Sequence, residues 1–505
     1  MNNRKVFQES LLYRILTPAP FLLVAVMMLI SPTAAADQDE GAANRADTGG
    51  ADAIAAERER AIAALRETIN AEREAAGGSW EAWSDKLKPF RKDVERIIAN
   101  HGWPWPAQHD FRFYGASWRL MKLDEITGGD GARPADAIVQ LDRELRARGI
   151  DLILMPIPDK LAVYADYLSE EAPTPAEPHA AMQVRRLMHE LAERDVEVID
   201  LYTPYAAWRR DRIDSEDDHT LYYDRDGHWR NIATQLAADK IAERLSRYEF
   251  VREAKQPPPR FETRDYQRTD GDKADDVKRV IDADSGDDYR DIDDSPIIVT
   301  GDSFSMYNMH LGGHLSAQVA KRINMPTSVI WQEGLGSDMP VELARRHRER
   351  DDLEGRRVVI WTFAGRHFQR DDWRMVHLQP PRSLDEPARE LAARGRIAAL
   401  SDRPRTDAAY PDFIMKLHVK NLVDAEGRAI GDGEAVVRIA AMRERELLPA
   451  AELEAGDGVD LALTSWSLVE DDHGQTATGS LPDPTVELAH PHFWAEPDTE
   501  AEAAE

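Results

Sequence analysis

Between Ile138 and Phe363 the hydrophobic positions alternate between two textures. Apolar residues at helical spacing (Ile138, Leu141, Leu145) lead through Arg148-Gly149 into a nearly continuous apolar run, Ile150 to Ile157. A second helical pattern around Met182 to Glu193 leads into the run Val196 to Leu201, and a third follows from Asn231 to Leu245. After an interruption come the runs Ile297 to Thr300, Ser328 to Trp331 and Val358 to Phe363, with helical patterns between them. A strand that is apolar on both faces has to be covered on both, and amphipathic helices between such strands supply the cover. The pattern predicts an α/β sandwich built on a parallel sheet, over residues 103 to 375.

The flanks read differently. Ile54, Ile62, Leu65 and Ile69 recur at helical spacing among charges, and a further helix is expected from Trp80 to about Asn100. The aromatic cluster Trp103, Trp105, Phe111, Phe113, Tyr114 and Trp118 reads as core packing where the main domain begins; a ligand-stacking platform is the alternative. Residues 253 to 295 interrupt the α/β rhythm with a proline run and many aspartates, and read as a solvated acidic linker. Asp282, Asp284, Asp287 and Asp288 lack the spacing and terminal glutamate of a calcium hand. Past Met375, Phe413 to Val419, Ala435 to Ile439 and Val459 to Leu463 look like strands separated by Gly-Asp turns, so residues 376 to 496 are expected to form a small antiparallel β domain. The acidic tail, 497 to 505, reads as disordered.

The first 36 residues run from basic and polar (Arg4, Lys5, Arg14) through an apolar stretch, Phe21 to Ile30, to the small-residue segment Ser31 to Ala36. That order is the order of a secretory signal. The stretch is short of the roughly 20 apolar residues of a comfortable membrane span, so cleavage after Ala36 is the favoured reading and a retained anchor the alternative. Residues 37 to 52 then form a tether within an amino-terminal segment, 37 to 102.

Composition narrows the chemistry. At 505 residues and 42% hydrophobic content there is ample core. The absence of cysteine removes thiol nucleophiles, cysteine metal sites and disulfides. A net charge of -29 argues against a nucleic-acid partner, which needs clustered Lys and Arg.

The segment PIIVTGDSFSMYN, residues 296 to 308, ends a buried strand at Gly301-Asp302-Ser303. In open parallel sheets, ligands sit beyond the carboxyl ends of the strands. A serine there is a candidate nucleophile if a base oriented by a third group reaches it. Tyr222 to Trp229 offers one: only Gly227 separates Asp226 from His228, so on a loop the carboxylate reaches Nδ1 while Nε2 faces outward. Taken singly, Gly-Asp-Ser is a common tripeptide and Asp-Gly-His can be a turn with a helix cap.

Gly301-Asp302-Ser303-Phe304-Ser305, Asp226-Gly227-His228-Trp229 and Val359-Ile360-Trp361 through Gly365-Arg366-His367-Phe368 resemble the SGNH-hydrolase-like proteins of alginate O-acetylation, the AlgX/AlgJ type. Pro156 to Tyr164 and Glu333-Gly334-Leu335-Gly336-Ser337 fit the same pattern, and the resemblance covers roughly residues 103 to 370. It implies an SGNH-like three-layer sandwich and a periplasmic enzyme that moves acetyl groups onto an exopolysaccharide. Ser303 would be the nucleophile, His228 the general base and Asp226 its orienting carboxylate, with an acetyl-serine intermediate and neither metal nor cofactor. A membrane-bound partner would pass acetyl groups outward. In ordinary SGNH hydrolases the Asp-x-x-His block follows the serine; here it precedes it with one residue fewer, and the Gly-x-Asn-Asp block is not evident, which leaves a second oxyanion donor unassigned.

Arg366, after a strand end, is placed to contact an acetyl donor or a uronate, or to form a structural ion pair. Lys160 stands similarly after Ile157, Tyr307 is a candidate pocket wall, and Trp229 either stacks on a sugar or packs beneath the histidine. His310 and His314 read as surface or cap residues, and Trp466 and Trp494 as core or sugar platform. Two other functions fit the same features: an acetylesterase with the same triad, and a non-catalytic polysaccharide-binding scaffold.

Overall fold

The computed structural model describes residues 48–101, 111–128, 131–174, 179–212, 220–256, 258–269, 274–333, 336–370, 373–381, 389–406 and 410–496. The expected leader, Trp103, Trp105 and the acidic tail lie outside these residues. Among the described residues, no helix is long and apolar enough to cross a membrane.

Five strands form the parallel sheet: β1 (Asp151–Ile157), β2 (Glu197–Val198), β5 (Ile297–Gly301), β6 (Ser328–Trp331) and β7 (Val358–Ala364), in the order β2-β1-β7-β5-β6. Every neighbouring pair is parallel. β5 and β7 are buried at every position, as their unbroken apolar runs require once helices cover both faces. The helices Pro134–Arg146, Met182–Glu193, Asn231–Leu245, Leu315–Ile323 and Met339–Arg350 supply that cover. The run Val196 to Leu201 pairs over two residues only, because β2 is an edge and Leu201 already turns into the helix Tyr202–Arg210. Two amino-terminal helices, Thr48–Ala75 and Trp80–His101, add Ile62, Leu65, Ile69, Phe90 and Val94 to the same core. Phe111, Phe113 and Trp118 are also core residues.

The acidic linker expected over residues 253 to 295 is corrected. The segment folds into a two-stranded antiparallel hairpin, β3 (Phe261–Arg268) and β4 (Asp275–Asp282). Phe261, Val280 and Tyr289 pack with Ala317 and Ala320 of the helix Leu315–Ile323. Asp282 caps a turn, accepting from the amides of Asp284 and Ser285, which uses it as a turn residue.

The carboxyl-terminal region is β-rich. β8 (Leu391–Leu400), β9 (Phe413–Asp424), β10 (Glu434–Arg443), β12 (Gly458–Ser465) and β13 (His492–Ala495) pair around a closed ring, and the short β11 (Glu446–Leu447) extends β10. All pairs are antiparallel except β10 with β13. Closure leaves no long free edge, and Met415, Leu417, Val437 and Leu463 fill the interior. Trp466 and Trp494 are buried in a satellite cluster with Ile414 and Ala440, so they serve as core. The region meets the α/β domain through buried charges: Arg345 pairs with Glu342, Glu349 and Glu470, and Arg346 reaches Glu470 at 3.1 Å.

Candidate active site

The strand β5 stops where it does because of Gly301. A Cβ at that position would lie 2.0 Å from the carbonyl oxygen of Thr362 on β7, so only glycine lets the backbone pass this close before turning. Asp302 then caps the short helix Ser303–Met306, accepting from the amide of Phe304 at 3.0 Å. Ser303 is therefore held just beyond the carboxyl end of a central strand. The same carboxylate accepts from the amide of Ala364 at 2.9 Å and faces Nε2 of His367 at 3.1 Å, which ties the serine turn to the end of β7. Burial pushes Asp302 up, but the hydrogen bond and charge of His367, the charge of Arg366 and the Ala364 amide outweigh it and hold the carboxyl below its usual range.

The histidine arrives from the loop before the helix Asn231–Leu245. His228 Nε2 lies 2.9 Å from Ser303 Oγ, and Nδ1 lies 2.6 Å from Asp226 Oδ1. The same Asp226 oxygen accepts the backbone amide of His228 at 2.9 Å, closing a tight turn that one intervening residue makes possible. With the proton on Nδ1 directed at Asp226, Nε2 is free to accept the serine proton. Ser303, His228 and Asp226 thus stand in one chain of contacts, about a fifth of each His228 and Asp226 side chain being exposed.

The imidazole is packed from two sides. Tyr307 stacks on it with centroids 4.4 Å apart and an interplanar angle of 16°, and the ring of Phe304 lies 4.8 Å away. Tyr307 is therefore a wall of the site. Trp229 is not a sugar platform: its side chain is fully buried and its indole N–H donates to the Phe304 carbonyl at 3.0 Å, fastening the histidine loop to the serine helix. An indole with no exposed face has none to offer a sugar.

Lys160 also departs from its expected role. It is buried, and Nζ donates to the carbonyls of Tyr223 at 2.5 Å, Asp224 at 2.6 Å and Asp226 at 3.3 Å, with the ring of Phe111 3.8 Å away. It clamps the triad loop and has no donor left for a substrate. Burial pushes the ammonium down to about 7, against Asp224 and Asp226, which push it up. Lys160→Met removes the donor shared by the Tyr223, Asp224 and Asp226 carbonyls, of which Asp224 keeps the Arg112 amide at 2.7 Å, and is expected to destabilise the protein by about 2 kcal/mol. Because the folded-state value lies below the usual 10.5, the unfolded chain holds a proton that the folded one has released between those limits, and the lysine's contribution to stability rises from pH 7 to 10. Denaturant titrations of wild type and variant should show their difference widening over that interval; a constant difference contradicts the assignment.

Arg366 forms the structural ion pair, 3.1 Å from Asp159, yet its guanidinium also lies 5.2 Å from the Phe304 ring and 5.4 Å from the Tyr114 ring, at the edge of the site. His314 is buried at the start of the helix Leu315–Ile323 and faces Asp291 at 3.5 Å, so it is not a surface residue.

Three contributors escape a reading of the sequence. Tyr114 covers Gly227 so closely that a Cβ there would meet its ring at 2.0 Å, so a side chain between Asp226 and His228 would displace that ring. Glu333 is raised by burial, opposed by the charge of His228 and reinforced by Asp412 of the carboxyl-terminal region, so its carboxylate lies within electrostatic reach of the imidazole. Finally, the hairpin braces the histidine loop: Asp275 accepts from the amide of Asn231 at 2.8 Å and the hydroxyl of Tyr223 at 2.7 Å, and Arg268 reaches Asn308 at 3.0 Å beside Tyr307.

Residues 128–365 match the family model described as the SGNH hydrolase-like domain of the acetyltransferase AlgX. No curated protein matches the chain. Among solved structures, the O-acetyltransferase domain of Pseudomonas putida AlgJ is 18% identical over 52% of this chain and 92% of that one, with a TM-score of 0.38. Pseudomonas aeruginosa AlgX is 15% identical over 71% and 91%, with a TM-score of 0.38. Bacillus cereus PatB1 is 11% identical over 49% and 90%, with a TM-score of 0.30.

Proposed function

We propose, on the premise that residues 128–365 belong to the SGNH hydrolase-like domain family of the acetyltransferase AlgX, that this protein is a periplasmic O-acetyltransferase acting on an exported polysaccharide. The observation that carries the reading is the contact of Ser303 Oγ with His228 Nε2 at 2.9 Å, with Asp226 behind the ring at 2.6 Å. The periplasmic setting rests on the basic, apolar and small-residue order of residues 1 to 36. No free acetyl-CoA is at hand in that compartment, so the acetyl group is received from a membrane-bound partner.

In the first half-reaction His228 Nε2 takes the Ser303 hydroxyl proton as Oγ bonds to the carbonyl carbon of an acetyl ester. Collapse breaks the ester C–O bond, the departing oxygen takes the proton from His228, and acetyl-Ser303 remains. In the second, a sugar hydroxyl gives its proton to His228, bonds to the acetyl carbon and displaces Ser303 Oγ, which recovers the proton. Asp226 keeps the imidazole in the required tautomer and stabilises its charged form in both halves. Ser303 is the first residue of its helix, where backbone N–H groups lack intrahelical acceptors. Its amide is the candidate donor to the developing oxyanion.

A chromogenic acetyl ester, given to the purified protein with and without an oligosaccharide acceptor, tests the reading. Acetyl ester on the sugar, detected by mass spectrometry and dependent on Ser303, is the expected result. Acetate release with no acetylated sugar across neutral and uronate-containing acceptors would instead identify an esterase, and no Ser303-dependent turnover of either kind would identify a scaffold.

A further inference from the structure

We propose that His418, Glu434 and His490 form a binding site for a borderline divalent transition ion of the Zn2+ class on the carboxyl-terminal β ring, apart from the triad. His418 on β9 and Glu434 at the start of β10 are diagonal neighbours on one antiparallel pair, since His418 registers with Val436 and Glu434 with Lys420. His490 comes from a third segment, just past the helix Pro484–Ala489 and before β13. One ligand atom from each of the three lies within 4.8 Å of the others.

The spacing suits a metal. His490 Nε2 lies 3.4 Å from Glu434 Oε2, and His418 Nε2 lies 2.8 Å from that same oxygen. Bonds of about 2.0–2.1 Å in a tetrahedral site put ligand atoms roughly 3.3 Å apart, so the first pair already stands at that distance and the second needs to open by about half an ångström. The outer contacts suit it as well. Asp432 Oδ2 lies 3.1 Å from Nδ1 of His490, the carboxylate-to-histidine contact that fixes the tautomer and turns the Nε2 lone pair toward an ion. Asp432 also accepts the backbone amide of Glu434 at 3.2 Å, which fixes the third ligand's backbone. Lys420 occupies the other oxygen of Glu434 at 3.3 Å and leaves Oε2 as a single donor. The two imidazoles lie nearly parallel, centroids 5.6 Å apart, and His418 is buried, so little side-chain freedom is lost on binding.

All three ligands border a cavity of about 530 Å³ with Asp483 and Leu481 on its wall, which leaves room for water or another oxygen donor at a fourth position. Two imidazoles with one carboxylate select Zn2+ and its neighbours over Ca2+ and Mg2+, which prefer oxygen throughout.

The test uses the full chain after chelator treatment, titrated with Zn2+ by calorimetry and by thermal unfolding, with Ca2+ and Mg2+ in parallel. One equivalent of Zn2+ is expected at micromolar affinity or tighter, with a raised unfolding midpoint that Ca2+ and Mg2+ do not reproduce. His490→Gln and Glu434→Gln should remove that equivalent. Asp432→Asn, at a mostly exposed side chain, should keep the fold and weaken binding by about 10- to 100-fold. Absence of a tight equivalent, equal response to Ca2+, or unchanged Zn2+ binding in Asp432→Asn and Glu434→Gln would each overturn the site, leaving an ion-paired histidine cluster.

Discussion

Ser303→Ala lowers acetyl-ester turnover by at least about 1,000-fold, the scale on which loss of a nucleophile separates a working triad from its binding surroundings. Among the described residues the Ser303 hydroxyl bonds to His228, a part-buried contact, so the variant should unfold within about 1 kcal/mol of wild type. That pairing of a large kinetic and a small thermodynamic effect distinguishes a catalytic hydroxyl from a packing residue. Activity retained within tenfold would remove Ser303 from the mechanism, whatever its distance from His228.

Asp302→Ala gives the opposite pairing. The buried carboxylate serves the Phe304 amide, the Ala364 amide and His367 together, and its removal leaves three buried donors without an acceptor. A loss of about 3–5 kcal/mol is expected, with turnover falling as well because the serine turn is no longer fixed to β7. Chemical denaturation and a kinetic assay at a temperature where the variant is still folded separate the two effects. A loss below about 1 kcal/mol would mean that water enters and satisfies these donors.

The strands that carry the site are legible in the sequence because a central parallel strand has no polar face to disguise it. Ser328–Trp331, Met182–Glu193 and Asn231–Leu245 fall where periodicity put them. The contact of Ser303, His228 and Asp226 was legible too: glycine before Asp302-Ser303 and a single residue between Asp226 and His228 are local features, and the ends of a parallel sheet bring such loops together. Long-range support was not. In the hairpin β3–β4 the six inner residues of β3 are exposed, so its sequence has the acid-rich look of a linker, although Asp275 holds the histidine loop. Lys160 is indistinguishable in sequence from a surface lysine, since what buries it is a carbonyl cluster sixty residues and more away. Tyr114 and Glu333 join the site through tertiary approach alone, and β8 and β13 close the carboxyl-terminal ring without a regular alternation to announce them.

In the proposed reaction acetyl rests covalently on one hydroxyl between donor and acceptor. Acid-quenching the protein milliseconds to seconds after mixing with an acetyl ester, followed by peptide mass spectrometry, measures this directly. One acetyl group on Ser303 is expected, formed in wild type, cleared by added acceptor and missing from His228→Ala. Acetylated sugar appearing while the Ser303 peptide stays unmodified at every time point, or acetyl lodged on another residue that the acceptor clears, would contradict it.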